Sequence, residues 1–317
     1  MTVTFDRAQV SDSAGLLRDE RIALTPALPS GGRGWAPAQE KMAELLEDTP
    51  TGIDGVLELL RGVQEILDSL PPSKAANRVA AFNSLYYTIT DRVAQSLRSP
   101  AVTDPAFLEL LDVEFAKRYF EALRLWGDDD DATPDVWEVL FRRAQHKRMT
   151  RLAAAILGVN AHINHDLAIA LIATWVELGA PEGDGMHPDY LLINQIFYEE
   201  IPGLRRLYST RWQLKLDTVA GRLDDWSQEI LVYTTRAYAW DKAVSLWALR
   251  HDSDKFAGAL QIMDRSAALL GESLIVGDMM LTRIGAFLVA VRRAVRSLAF
   301  WRPRRRPLPR AQVKSLS

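Results

Sequence analysis

His162 and Asp166 are the two residues whose types and spacing most readily do chemistry together. On a helix they stand one turn apart on the same face, so an imidazole and a carboxylate reach one proton or one metal ion. In the first arrangement His162 is a general base oriented by Asp166. In the second both are ligands of a divalent metal such as Zn or Mg. Asn160 and Asn164 share another face, where they either contact substrate or fix helix register as an interhelical amide ladder. His165 projects roughly 60° to 80° away from the His162 and Asp166 face, which predicts a position at the rim.

The stretch that carries these groups, Arg151 to Ala180 (RLAAAILGVNAHINHDLAIALIATWVELGA), is otherwise apolar on every side and is expected to be the most buried helix of the protein. Buried polar groups need partners, because an unpaired one costs about 1 to 3 kcal/mol. Neighbouring helices must supply them. Periodicity predicts a helix over Asn77 to Arg98 carrying Phe82 and Tyr86, and another over Ala106 to Trp126 that aligns Asp112 with Phe115 and Tyr119. A short helix follows with Trp137. Asp189 and Asn194 lie near the start of the next one, and Ile230 to His251 holds Arg236 and Trp240. Arg236 is the cation expected to pair with Asp166, since a buried carboxylate without a cation or several donors takes up a proton.

These elements predict an all-α fold: a single helical bundle around one buried central helix. The organisation expected is a flexible N-terminal leader over 1–38, an all-helical domain over 39–290 and a basic tail over 291–317. There are no alternating β-branched runs with hairpin turns and no repeats of 20 to 50 residues. The chain contains no cysteine, which excludes disulfide scaffolding and thiolate chemistry. Its N-terminus has no apolar signal region, so a cytoplasmic protein is expected. Glycine-rich phosphate loops, GxSxG, HExxH and EF-hand patterns are missing, which removes most support for nucleotide-binding and serine-hydrolase readings.

The net charge of −3 conceals a basic end: Arg292 to Ser317 holds nine Arg or Lys and no acid, leaving −12 for the remainder. That acidic remainder repels nucleic acid. From Met279 to Trp301 an apolar circumference gains Arg292, Arg293 and Arg296 and ends in an aromatic. Such a segment either lies on an anionic membrane surface as an interfacial helix or packs on the bundle with a solvated basic end.

The string NAHINHDLAIAL resembles the signature of a bacterial domain-of-unknown-function family with the motif Asn-Ala-His-Ile-Asn-x-Asp-Leu. Features agreeing in order extend the resemblance from about Ile53 to Leu270: Phe82, Asn83, Tyr86 and Thr90; Asp112, Phe115 and Tyr119; Trp137; Asp189 and Asn194; Arg236, Trp240 and Trp247. It implies a helical domain with a site near the motif and no particular activity. A second resemblance, to all-helical zinc-dependent phospholipases C and P1-type nucleases, rests on His162-x-x-x-Asp166, but Ala170 stands where those enzymes place a further histidine. A third, Asp224 to Glu229 (DDWSQE), is similar to an acidic metal motif of helical terpene cyclases and lacks its downstream partner.

The functional expectation is an enzyme of hydrolase or lyase type on a small, largely apolar or lipid-like substrate. His162, Asp166, Asp112 and Asp189 would carry the chemistry. Phe82, Tyr86, Tyr119, Trp137, Asn160, Asn164, Asn194, Arg236 and Trp240 would bind the substrate. The alternatives are a terpene-cyclase-like lyase and a non-catalytic ligand-binding or scaffold protein with a structural polar core.

Overall fold

The structure, a computed structural model, describes residues 34–70, 76–128, 130–145, 149–181, 185–208 and 222–275, with backbone alone for 76–77, 201–208 and 222–234. All of these lie in the first of two compact units, residues 1–277. The expectations for the basic tail and for most of the leader fall outside the described residues, as do the side chains of Asp224 to Glu229. Every regular element described is helical, which bears out the all-α expectation.

In chain order the elements are α1 (Gln39–Leu45), α2 (Ile53–Ser69), α3 (Ala76–Ser96), α4 (Pro105–Gly127), α5 (Asp135–Ala144), α6 (Arg151–Ala161), a π-helical turn (His162–Asp166), α7 (Leu167–Leu178), α8 (Pro188–Tyr208), α9 (Arg222–Leu249) and α10 (residues 253–275). Local chemistry explains several boundaries. Thr150 caps α6, its hydroxyl accepting from the Ala153 amide at 3.0 Å, and Asp104 caps α4 ahead of Pro105 by accepting from Phe107 at 3.0 Å. Gly179 ends α7 at φ 88°, a backbone angle that other residues seldom adopt.

The run α6, π-turn, α7 is the central helix. Its length and composition would suit a membrane span, but 78% of its most apolar window is buried inside the protein, so it is a core helix. α3 and α5 pack on α6; α4 and α9 pack on both the π-turn and α7. The helices bearing Asp112 and Arg236 therefore flank the polar centre, as the sequence predicts. Trp35, which falls within the expected leader, is 2% exposed, donates from its indole to the Leu123 carbonyl at 2.8 Å and meets the Phe141 ring edge-on. The packed domain thus extends at least to this residue.

α10 has its own ties to the α5–α6 pair. The Asp264 carboxylate accepts from the backbone amides of Asp135 and Val136 at 2.8 and 2.9 Å, satisfying open donors at the start of α5. Arg143 on α5 makes a forked ion pair with Glu272 at 2.5 and 3.1 Å. The Asn160 side chain donates to the Ala267 carbonyl at 2.9 Å.

The approach of α3 to α6 depends on Gly158. A Cβ at this position would stand 2.2 Å from Cγ of Phe82, inside any allowed contact. Gly158→Ala should therefore destabilise by about 1 to 3 kcal/mol through overpacking, despite a gain in helix propensity of about 1 kcal/mol. The measurement is the urea midpoint; an unchanged or higher midpoint would show that α3 does not lie this close.

Candidate functional site

The five residues His162 to Asp166 form a π-turn in which the Leu167 amide donates to the carbonyl of His162, one residue further back than in an α-helix. That extra residue per turn changes which side chains converge. The Asp166 carboxylate, 1% exposed, accepts from three directions. His162 Nδ1 donates to Oδ2 at 2.9 Å, His165 Nδ1 donates to Oδ1 at 2.8 Å, and Trp137 Nε1 is shared between them at 3.0 and 3.3 Å. Burial alone would raise the Asp166 pKa, but the hydrogen bonds from His162 and His165 outweigh it and hold the group below the usual carboxylate range.

Two expectations are corrected here. His165 is not at the rim: the π-turn swings it inward, where it is buried against Asp166. Burial would lower its pKa, but the Asp166 bond and the nearby Asp264 charge more than offset that and raise it. Arg236 is not the partner of Asp166, because three ring N–H donors already occupy the carboxylate.

His162 is enclosed by rings. Phe115 stacks on it at 3.4 Å and 9°, and Tyr86 meets it edge-on with centroids 4.4 Å apart. Phe82, Trp137 and Tyr119 complete the cage at 5.7, 6.1 and 6.3 Å. Burial lowers the His162 pKa, with Asp166 opposing, so the ring is neutral at pH 7. With its proton on Nδ1 facing Asp166, Nε2 carries a lone pair. That Nε2 is buried and has no partner.

Beside the cage lies a small cavity bordered by Tyr86, Asp112, Phe115 and Arg236 among aliphatic side chains that include Ile89 and Leu167. It is narrow, with room for about one water molecule. At the cavity Asp112 Oδ2 is buried without a hydrogen-bond partner, whereas the buried Tyr86 hydroxyl has the Thr90 hydroxyl, one turn along α3, as its polar neighbour. Burial, and then Glu109 one turn away, push Asp112 up to about 8, so its carboxyl is mostly protonated at neutrality.

The remaining expected site residues have other duties. Asp189 serves the start of α4: its carboxylate accepts from the amides of Thr103 and Asp104 at 3.0 and 2.6 Å and from the Thr103 hydroxyl at 3.1 Å. Asn160 and Asn164 form the amide ladder, joined at 3.0 Å and continued to α10. Asn194 holds Arg236, accepting from Nε at 2.5 Å. Trp240 packs against Trp175 and Tyr190, away from the cage. Phe82, Tyr119 and Trp137 surround His162 and do not border the cavity.

His162 and Asp166 do not face one shared metal position: both carboxylate oxygens and His162 Nδ1 are engaged in mutual hydrogen bonds, which leaves His162 Nε2 as the one open donor atom of the pair. Among the described residues no three His, Asp or Glu side chains are grouped to hold a metal. The stacking of Phe115 on His162 was not foreseen, although its place one turn after Asp112 in an aromatic stripe is a signal for it. The helical capping by Asp264 has no local sequence signal.

The helices that build this cluster are also the extent of a family match. The model of a family of unknown function, DUF5995, matches residues 53–277. The chain belongs to that family. No curated protein and no solved structure matches it. The DUF5995 match begins at the first residue of α2 and runs past α10, so it takes in the π-turn, the aromatic cage and the cavity, with Trp35 and α1 lying before it.

Proposed function

We propose that the chain is an enzyme of hydrolase or lyase type that acts on a small, largely apolar molecule by proton transfer at the Tyr86–Asp112 cavity. The observation that carries this reading is a pair of buried polar atoms without partners, Asp112 Oδ2 at the small apolar space and His162 Nε2 in the ring cage, with Tyr86 bordering the one and packed against the other. Most buried polar groups are hydrogen-bonded, so atoms left without a partner favour a role beyond packing. Asp166 fixes the tautomer of His162, whose free nitrogen is the base. The Tyr86 ring packs on the imidazole and borders the cavity, so its hydroxyl, which is not bonded to His162 Nε2 in the free protein, joins base and substrate once a substrate is seated. Asp112, protonated near neutrality, is the acid.

Two substitutions that keep volume test the assignment against a panel of small apolar esters, amides and eliminable substrates. Tyr86→Phe and Asp112→Asn are each expected to lower kcat by about 10²- to 10⁴-fold on any substrate turned over, with an unchanged circular dichroism spectrum. Activity should also survive a chelator. Wild-type rates in both variants would end the proposal.

A second reading has an observation of its own: the Asp166 network is complete without any ligand. On that reading the chain is a non-catalytic binding protein whose polar centre fixes helix register. It predicts saturable ligand binding with no turnover of any panel member.

A further inference from the structure

The two sides of α10 differ in kind. One side is docked: Asp264 accepts from the Asp135 and Val136 amides at 2.8 and 2.9 Å, and the buried Ala267 accepts from Asn160 at 2.9 Å. At Gly271 an added Cβ would stand 3.2 Å from the Asn160 side-chain nitrogen, so the helices are close there. The other side carries Ile262, Ser266, Leu269 and Ser273, spaced by three or four residues and therefore aligned, with Leu270 and Leu274 flanking them. Ile262 is 66% exposed and Leu269 57%, and both flanking leucines are exposed as well. Of the eleven large hydrophobic residues exposed among the described residues, four fall on this one helix. They form a continuous stripe about 18 Å long, unlike the scattered single side chains normal for a protein surface.

We propose that this stripe is a docking surface for an anionic lipid membrane. The stripe itself bears no acid. The two acidic residues of α10 within its length are both engaged by α5, Asp264 through the backbone amides and Glu272 through Arg143. The sequence that follows α10 supplies the complementary charge: after the apolar run from Met279 it carries nine Arg or Lys and no acid between Arg292 and Ser317. A basic segment of this kind is attracted to anionic headgroups, and the stripe, tethered to it along the chain, is kept at high effective concentration near the same surface. The remainder of the chain, at −12, is repelled by anionic lipid, so the domain can approach only by a face free of acid. A short aliphatic stripe alone binds weakly, and stable attachment takes an apolar and a basic signal together. This surface is separate from the Tyr86–Asp112 cavity and does not depend on the chemistry proposed there.

The test is co-sedimentation of the full chain with vesicles of phosphatidylcholine alone and of phosphatidylcholine mixed with phosphatidylglycerol. The wild type should pellet with the mixed vesicles far more than with the neutral ones, and added salt should weaken that binding. Ile262→Ser combined with Leu269→Ser should reduce partitioning onto the mixed vesicles by about 10- to 100-fold, the loss expected when two large aliphatic side chains no longer enter the interface. Both positions are exposed, so the urea midpoint of this variant should match the wild type. Arg292→Gln, Arg293→Gln and Arg296→Gln together should weaken binding to the mixed vesicles and leave the neutral ones unaffected. No pelleting of the wild type, equal pelleting on the two kinds of vesicle, or equal pelleting of wild type and serine variant would overturn the proposal. A lower urea midpoint in the serine variant would show that the chain itself covers the stripe. A wild-type dimer that the serine variant converts to a monomer would show that a second copy covers it, and either result would also overturn the lipid assignment.

Discussion

Asp166→Ala is expected to lower stability by on the order of 3 to 6 kcal/mol. The carboxylate is the sole recorded acceptor for three buried ring donors, His162 Nδ1, His165 Nδ1 and Trp137 Nε1. Each donor left without a partner costs about 1 to 3 kcal/mol, and the methyl of alanine can accept from none of them. Asp166→Asn should cost less, since one amide oxygen still accepts while the amide nitrogen faces a ring N–H and forces a tautomer change. The wild-type carboxylate has a depressed pKa, so its contribution is present above the unfolded carboxylate range and is lost as pH falls through the folded value. Urea unfolding of the two variants at pH 7 measures the effect. A loss under 1 kcal/mol in Asp166→Ala would mean that the three donors have other acceptors. The same variants bear on the proposed chemistry, because without Asp166 the His162 tautomer is no longer held with its lone pair at Nε2.

Asp112 should make the protein less stable as pH rises from about 4 to about 8. Its folded pKa is raised, from 3.8 to about 8, so within that window the folded state holds a proton that the unfolded state has released. The contribution is fully present below pH 4, falls through the window and is level above it, a total of several kcal/mol. Other groups titrate nearby. His162, with a lowered pKa, adds stability as pH rises toward 6.5, and Asp166 adds it above the carboxylate range. Comparison with Asp112→Asn isolates the Asp112 effect, because these other contributions are common to both proteins. The difference in unfolding free energy should shift in favour of the variant between pH 5 and pH 8 and level off by pH 9. A flat difference would show that Asp112 titrates as an ordinary surface carboxylate and is not the acid of the site.

The residues that build the site came into view at different stages, for different reasons. Helical periodicity is set by neighbours three and four residues apart, so the all-α fold and the buried nature of Arg151 to Ala180 could be read directly. His162 and Asp166 were legible because a one-turn spacing survives even the altered winding of the π-turn. Their flanking by the helices of Asp112 and Arg236 followed from the need of buried polar groups for neighbours.

What only the tertiary structure decided is which donor meets which acceptor. The Trp137 indole that completes Asp166 lies 29 residues away, and the backbone amides that claim Asp189 lie 85 and 86 residues away. No local pattern distinguishes a carboxylate destined for a helix start from one destined for a catalytic centre. The inward swing of His165 depends on an i to i+5 hydrogen bond, a register that regular helix geometry does not anticipate. The separation of Arg236 from Asp166 is decided in the same way: three ring donors satisfy the carboxylate, and the arginine is held instead by Asn194 and by the carbonyl and ring of Tyr190. Sequence alone determined the helices and the polar stretch at their centre, because both are local properties of the chain. The pairing of the charges was settled by packing, because a buried group is satisfied by whichever partner the folded chain brings within 3 Å.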